Sequence, residues 1–142
     1  MTREILFRGK RTDNDEDEFV YGIPVEGEPL LGMGKRTYII TKPGVQWVDG
    51  VYMTYDECIE VDPETVGQFT GLTDKNDVKI FEGDIVRYGQ LGEVEYNSGS
   101  AQFTLNFTNG TYDGFDKIPF CCCEVVGNIH DNPELLEVNS DE

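Results

Sequence analysis

Polar and apolar residues alternate along this chain in short runs with the two-residue period of a half-buried strand. The pattern is clearest where Glu93 and Glu95 interleave with Val94 and Tyr96, and where Gln102, Thr104 and Asn106 interleave with Phe103, Leu105 and Phe107. Asn97-Ser98-Gly99-Ser100 between the two runs predicts a hairpin with one wet and one buried face. Val45–Val48 and Val51–Met53 around Asp49-Gly50 predict a second hairpin, with glycine supplying the positive φ of a tight primed turn. Further strands are expected at Glu4–Phe7, Phe19–Ile23 (ending before Pro24), Thr37–Ile40, Cys58–Val61, Val66–Thr70, Ile80–Tyr88 around a Gly83-Asp84 turn, Thr111–Ile118 and Cys121–Ile129. Pro43-Gly44 reads as a turn, Gly71–Lys79 as a polar loop, and Asp62-Pro63-Glu64-Thr65 as a polar turn or helical start. Asn132–Leu136 allows one helical turn at most.

About ten strands with very little helix predict a mostly β fold of sandwich or barrel type. The expected organisation is an N-terminal β subdomain over residues 1–61, an SH3-like β-barrel subdomain over 62–137 and a flexible tail at 138–142, with the two subdomains sharing one core. Only one such core is affordable in 142 residues.

Twenty-eight acidic against eleven basic residues give a net charge of −17, and residues 61–142 hold sixteen of the acids but four of the bases. That field opposes direct contact with nucleic acid or an anionic membrane. No apolar run has the length of a membrane span and no signal-peptide pattern opens the chain, so a cytoplasmic protein is expected. The cysteines, Cys58 and the run Cys121-Cys122-Cys123, do not form a disulfide framework, because adjacent strand residues point to opposite faces. Reduced thiols are expected, with Cys121 and Cys123 packed on one strand face. Contiguous sulfurs and a single histidine, His130, do not make a four-ligand zinc site or a nucleophile with its base, so no metal, cofactor or catalytic residue is assigned.

Acids in pairs, Asp62/Glu64, Asp74/Asp77 and Glu82/Asp84, could hold a divalent cation or work as acid and base if they shared a cleft. In a chain this acidic such pairs also arise from composition, with Asp62 and Asp84 then accepting backbone hydrogen bonds in turns. Arg3, Arg8, Lys10 and Arg11 form the one basic cluster, of which Arg8, Lys10 and Arg11 are able to meet an acidic partner or the Asp13–Glu18 loop of a second copy, or else make a solvated strand end. A mobile loop is expected at 13–18. Arg8, Lys10, Arg11, Asp62, Glu64, Asp74, Lys75, Glu82 and Asp84 together are the candidate interaction surface.

Three stretches, Arg3–Lys10, Asp62–Asn76 continuing to Phe81–Val86, and Glu124–Leu135, taken in order, resemble the YopX family of phage and prophage proteins. Residues 24–60 match weakly. The resemblance implies a two-part β structure with an SH3-barrel-like C-terminal part and phage or prophage origin. It brings no activity or catalytic residue. This chain departs from the family in having Asp77 where a glycine usually follows the asparagine, and Phe19 where a tryptophan often precedes Val-Tyr-Gly. The expected role is a non-enzymatic interaction module that binds a host or phage protein, or itself as a homo-oligomer. The alternatives are an anionic DNA mimic that occupies a host DNA-binding protein, and a small metal-dependent enzyme using the central acids.

Overall fold

The computed structural model describes residues 4–13, 16–28, 32 and 34–137, so the expected 138–142 tail and part of the 13–18 loop lie outside the described residues. Eleven strands and four short 3-10 turns make up the described chain. It divides into two compact units, one spanning 4–68 and the other 69–137. This division falls inside a strand, seven residues beyond the 61/62 boundary expected at the Asp62-Pro63-Glu64-Thr65 turn.

The first unit contains β1 (Phe7–Lys10), β2 (Phe19–Gly27), β3 (Arg36–Val48) and β4 (Val51–Val61), paired antiparallel in the spatial order β4-β3-β2-β1. The first residues of β5 (Gly67–Thr73) then pair with β1, Gln68 opposite Phe7 and Gly67 opposite Arg8. Two expected breaks are not breaks. Strand β2 runs through Pro24, because β1 covers only Phe19–Gly22 and leaves the rest of β2 with an open edge that tolerates a missing N–H. Strand β3 runs through Pro43-Gly44 for the same reason: β2 pairs with it only over Arg36–Ile40, and beyond a bulge at Ile40/Lys42 it continues with β4 as a two-stranded ribbon. The ribbon turns at Asp49 (φ 50°) and Gly50 (φ 79°), the primed turn expected from Asp-Gly.

β1 lies three residues later than expected, over Phe7–Lys10 rather than Glu4–Phe7, which turns Arg8 and Lys10 from a solvated strand end into buried residues. Close packing of backbone explains part of this register. Gly9 sits against Val61, and a Cβ at Gly22 would fall 2.0 Å from the Ile40 carbonyl oxygen. Ile39 and Val61 are the fully buried apolar residues among the described side chains of this unit.

The second unit holds the rest of β5, β6 (Lys79–Phe81), β7 (Asp84–Tyr88), β8 (Gln90–Asn97), β9 (Gln102–Phe107), β10 (Tyr112–Gly114) and β11 (Glu124–Asn128). Its main sheet is antiparallel in the order β10-β9-β8-β7-β11. The expected closed barrel is not formed: β10 and β11 are the two edges and do not pair. Each is too short to close the sheet, since Pro119 and two 3-10 turns, Phe115–Lys117 and Phe120–Cys122, replace the longer strands expected at 111–118 and 121–129. The alternation in β8 and β9 is realised, with Val94, Phe103, Leu105 and Phe107 in a core with Ile80, Val86, Ile118 and Cys123. Two positions invert it: Tyr96 is about half exposed and Thr104 is buried.

Asp77 has φ 65°, in the left-handed region, at the position where the resembling family carries glycine. An L residue there costs energy that glycine avoids, only partly relieved for Asp. Asp77→Gly is expected to stabilise the chain by about 0.5 kcal/mol after the larger unfolded-state entropy of glycine is subtracted, read as a small rise in denaturant midpoint at unchanged slope.

Candidate functional site

In the first unit, the basic cluster is an internal fixture. The Arg8 guanidinium lies 4.2 Å from the centre of the Phe19 ring and the Lys10 ammonium 4.6 Å from it, so two cations contact one aromatic ring. Lys10 also reaches the Asp17 carboxylate at 3.3 Å, and Arg11 binds Asp13 at 2.6 Å and Glu18 at 2.8 Å. Asp13, Asp17 and Glu18 of the expected loop are thus partners of their own chain's cations. Hydrogen bonding to Arg11 holds the Asp13 carboxyl below its ordinary value.

Asp62 caps the 3-10 turn Pro63–Thr65, accepting the Glu64 N–H at 3.0 Å. Proline at the first helical position needs no partner for its missing N–H. The Thr65 hydroxyl accepts the Lys10 N–H at 2.8 Å and donates to the Asp62 carbonyl at 2.6 Å, while the Asp62 N–H returns to the Lys10 carbonyl at 2.9 Å. Glu64 is exposed. The described cavity of this unit, about 340 Å³, is lined by Pro24, Val25, Glu26, Thr37, Pro63 and Val66, and Asp62 and Glu64 do not line it.

In the second unit, Asp74 is buried and its carboxylate accepts three backbone N–H groups: Asn76 at 2.8 Å, Val78 at 2.9 Å and, 51 residues away, Val125 at 2.8 Å. Burial pushes this carboxyl up, but the Val125, Val78 and Asn76 amides and the charge of Lys75 outweigh it and hold the group below its ordinary value. The Lys75 N–H donates to the Cys123 carbonyl at 3.0 Å, and its ammonium is 3.8 Å from Glu124. Asp84, 2% exposed, accepts the Phe81 N–H at 2.7 Å across the Glu82-Gly83 turn. Glu82 is half-buried beside a cluster that sequence reasoning missed, Glu93 and Glu95 on β8. Desolvation, then the charge and hydrogen bond of Glu95, then Glu82 push the Glu93 carboxyl up to about 7. Glu95 accepts from the Asn106 amide, and Asn106 accepts from the buried Thr104 hydroxyl at 2.8 Å. The pattern showed these residues only as a wet strand face; two-residue spacing puts Glu93 and Glu95 on one face of β8, and pairing with β9 brings Asn106 and Thr104 alongside them.

One family model, described as YopX protein, matches residues 32–137, well over half of the chain. The chain belongs to the YopX protein family. A solved structure, that of protein EF1440 from Enterococcus faecalis, is similar to it with 26% identity and a TM-score of 0.56, covering 96% of this chain and 100% of that one. Nothing among curated proteins matches.

Of the nine residues expected to form one surface, the structure gathers no set of reactive acids in the described cavity. In this YopX chain Asp62, Asp74 and Asp84 act through backbone hydrogen bonds, and Arg8, Lys10 and Arg11 are engaged within their own unit. The motif Thr73-Asp74-Lys75-Asn76, with Phe81-Glu82-Gly83-Asp84, folds turns. Gly83 takes φ 93°, donates to the Val94 carbonyl at 2.9 Å and accepts the Ile129 N–H at 2.9 Å. What lies outward instead is an apolar row on β2. Tyr21, Ile23 and Val25 are 47%, 45% and 36% exposed, and register places Ile40, Tyr38 and the exposed Cys58 on the same face.

Asp74→Asn presents an amide N–H₂ where one of the backbone donors needs an acceptor, and is expected to destabilise the chain by about 2–3 kcal/mol at neutral pH. Because the folded-state pKa of Asp74 lies below its ordinary 3.8, its contribution is complete above that value and is lost as pH falls through the folded value. The gap between variant and parent should therefore narrow in acid when both are unfolded with urea. Glu93 has the opposite sign. The folded chain holds its proton up to about 7 against an ordinary 4.5, so this group's effect on stability declines as pH rises through that window. Glu93→Gln should remove the decline and, allowing for screening at a half-exposed site, gain about 1 kcal/mol above neutrality in the same measurement.

Proposed function

We propose that this protein is a non-enzymatic interaction module of phage or prophage origin that binds a protein partner through the outer face of β2. The exposed row Tyr21, Ile23 and Val25 carries this reading, since side chains of that size in one line on a sheet face are a common mark of a protein contact. Tyrosine and aliphatic residues bordered by charge also have the composition of an interface centre with a polar rim, here the Arg36–Glu60 pair at 3.1 Å on the same face. The engagement of Asp62, Asp74 and Asp84 in backbone hydrogen bonds supports the non-enzymatic part. Phage origin rests on the family resemblance.

A second reading, the anionic decoy of a DNA-binding protein, draws on the cluster of Glu82, Glu93 and Glu95. It predicts binding that weakens steeply with salt and is competed by duplex DNA. The β2 reading predicts a contact that resists both.

Ile23→Lys and Val25→Lys place charge in the row at exposed positions, where the fold tolerates it. Each is expected to abolish capture of whatever the parent retains from a bacterial lysate at high salt, or to dissociate any self-association seen in sedimentation, with unchanged melting. Retention identical in parent and variants, or capture lost only on adding salt or DNA, overturns the β2 reading.

A further inference from the structure

Cys121 and Cys122 are both exposed, and their sulfurs lie 3.9 Å apart. Along a strand the two side chains would diverge to opposite faces, as the sequence pattern implied. The 3-10 turn Phe120–Cys122, entered through Pro119, turns both to the same side. The turn is held at its end by two bonds, from the Cys123 N–H to the Phe120 carbonyl at 3.1 Å and from the Lys75 N–H to the Cys123 carbonyl at 3.0 Å. The third thiol is withdrawn: Cys123 is fully buried, its Sγ faces the Pro119 carbonyl at 3.6 Å, and burial pushes it up to about 11. The result is a pair of accessible thiols, in which the hydrogen bond and charge of Cys121 push the Cys122 thiol up and Lys75 offsets this only in part.

Two sulfurs on one soft centre, at bond lengths of about 2.3 Å, sit about 3.3 to 3.8 Å apart as the angle between the bonds opens from pyramidal to tetrahedral, so a small closing movement brings the pair to a chelating separation. Among the described residues no group of three or more His, Cys, Asp or Glu could complete a metal's coordination. That favours a centre satisfied by two sulfurs. We propose that Cys121 and Cys122 form a bidentate dithiol site for thiophilic centres with two exchangeable positions, organic arsenic(III) being the chemical class that needs no other ligand from the protein. With phenylarsine oxide the step is a condensation. Two As–S bonds form, the two S–H bonds and the As=O bond break, and the oxygen leaves as water with both thiol protons. Nothing is oxidised or reduced.

The test uses the full chain, phenylarsine oxide at equimolar concentration and intact-mass spectrometry, in the presence of excess monothiol and then of a 1,2-dithiol. One phenylarsenic group per chain is expected, retained against the monothiol and stripped by the dithiol. Cys121→Ser and Cys122→Ser are each expected to weaken retention on the order of 10²–10⁴-fold through loss of the chelate, while Cys58→Ser leaves it unchanged. Both serine variants alter exposed side chains, and thermal melting verifies that each remains folded. An adduct stripped by monothiol from the parent, one retained equally by either serine variant, or one that disappears in Cys58→Ser overturns the proposal.

Discussion

The second unit depends on one buried carboxylate. Asp74 takes two N–H groups from its own turn and a third from Val125 at the start of β11, so it fixes a loop and an edge strand at once. A neutral acceptor would satisfy this arrangement less well, because hydrogen bonds to an ionised group are stronger and a carboxylate offers acceptor sites to all three donors. Around it the other polar contacts fall into place: Lys75 to the Cys123 carbonyl, Asp84 to Phe81, and Gly83 between Val94 and Ile129. The central motif of the family resemblance is thereby accounted for as folding chemistry. It says why these residues are needed without requiring that any of them meet a substrate.

The first unit solves the same problem with cations. Arg8 and Lys10 are buried on a short strand, and the Phe19 ring supplies a negative face to both. Thr65 and Asp62 then secure the backbone of that strand through the 3-10 turn. Long basic side chains lend their aliphatic stems to packing, which lets a polar segment such as Arg8-Gly9-Lys10 serve as an inner strand. Asp13, Asp17 and Glu18 pair with Lys10 and Arg11, so part of the basic cluster is engaged within the unit.

Like charges brought close together act on one another. Glu82, Glu93 and Glu95 crowd together, and Glu93 answers by holding its proton to about 7. This YopX-family chain therefore presents three kinds of outward feature: an apolar row on β2, an acidic group on β8 and a thiol pair in the turn before β11. Each reaches the surface, whereas Asp74 and Asp84 are buried in backbone hydrogen bonds, which is why these features, rather than the motif acids, are where binding is sought.

Sequence alone determined the class of the fold, because period-two alternation and turn residues act locally: the Asp49-Gly50 turn, the β8–β9 hairpin and the turn roles of Asp62 and Asp84 were all legible. It also carried the family, through ordered motifs at both ends and the middle. It did not reveal that Pro24 and Pro43 lie within strands, since a proline is harmless only beside an open edge and edges are defined by pairing between distant segments. Nor did it show that Arg8 and Lys10 are buried, that β10 and β11 remain unpaired edges, or that Glu93 joins Glu82 and Glu95. Composition could place Cys121 and Cys122 next to each other but not on the same side. Only the tertiary structure decided that, by holding Cys123 against Lys75 and bending the chain after Pro119 into a 3-10 turn instead of a strand.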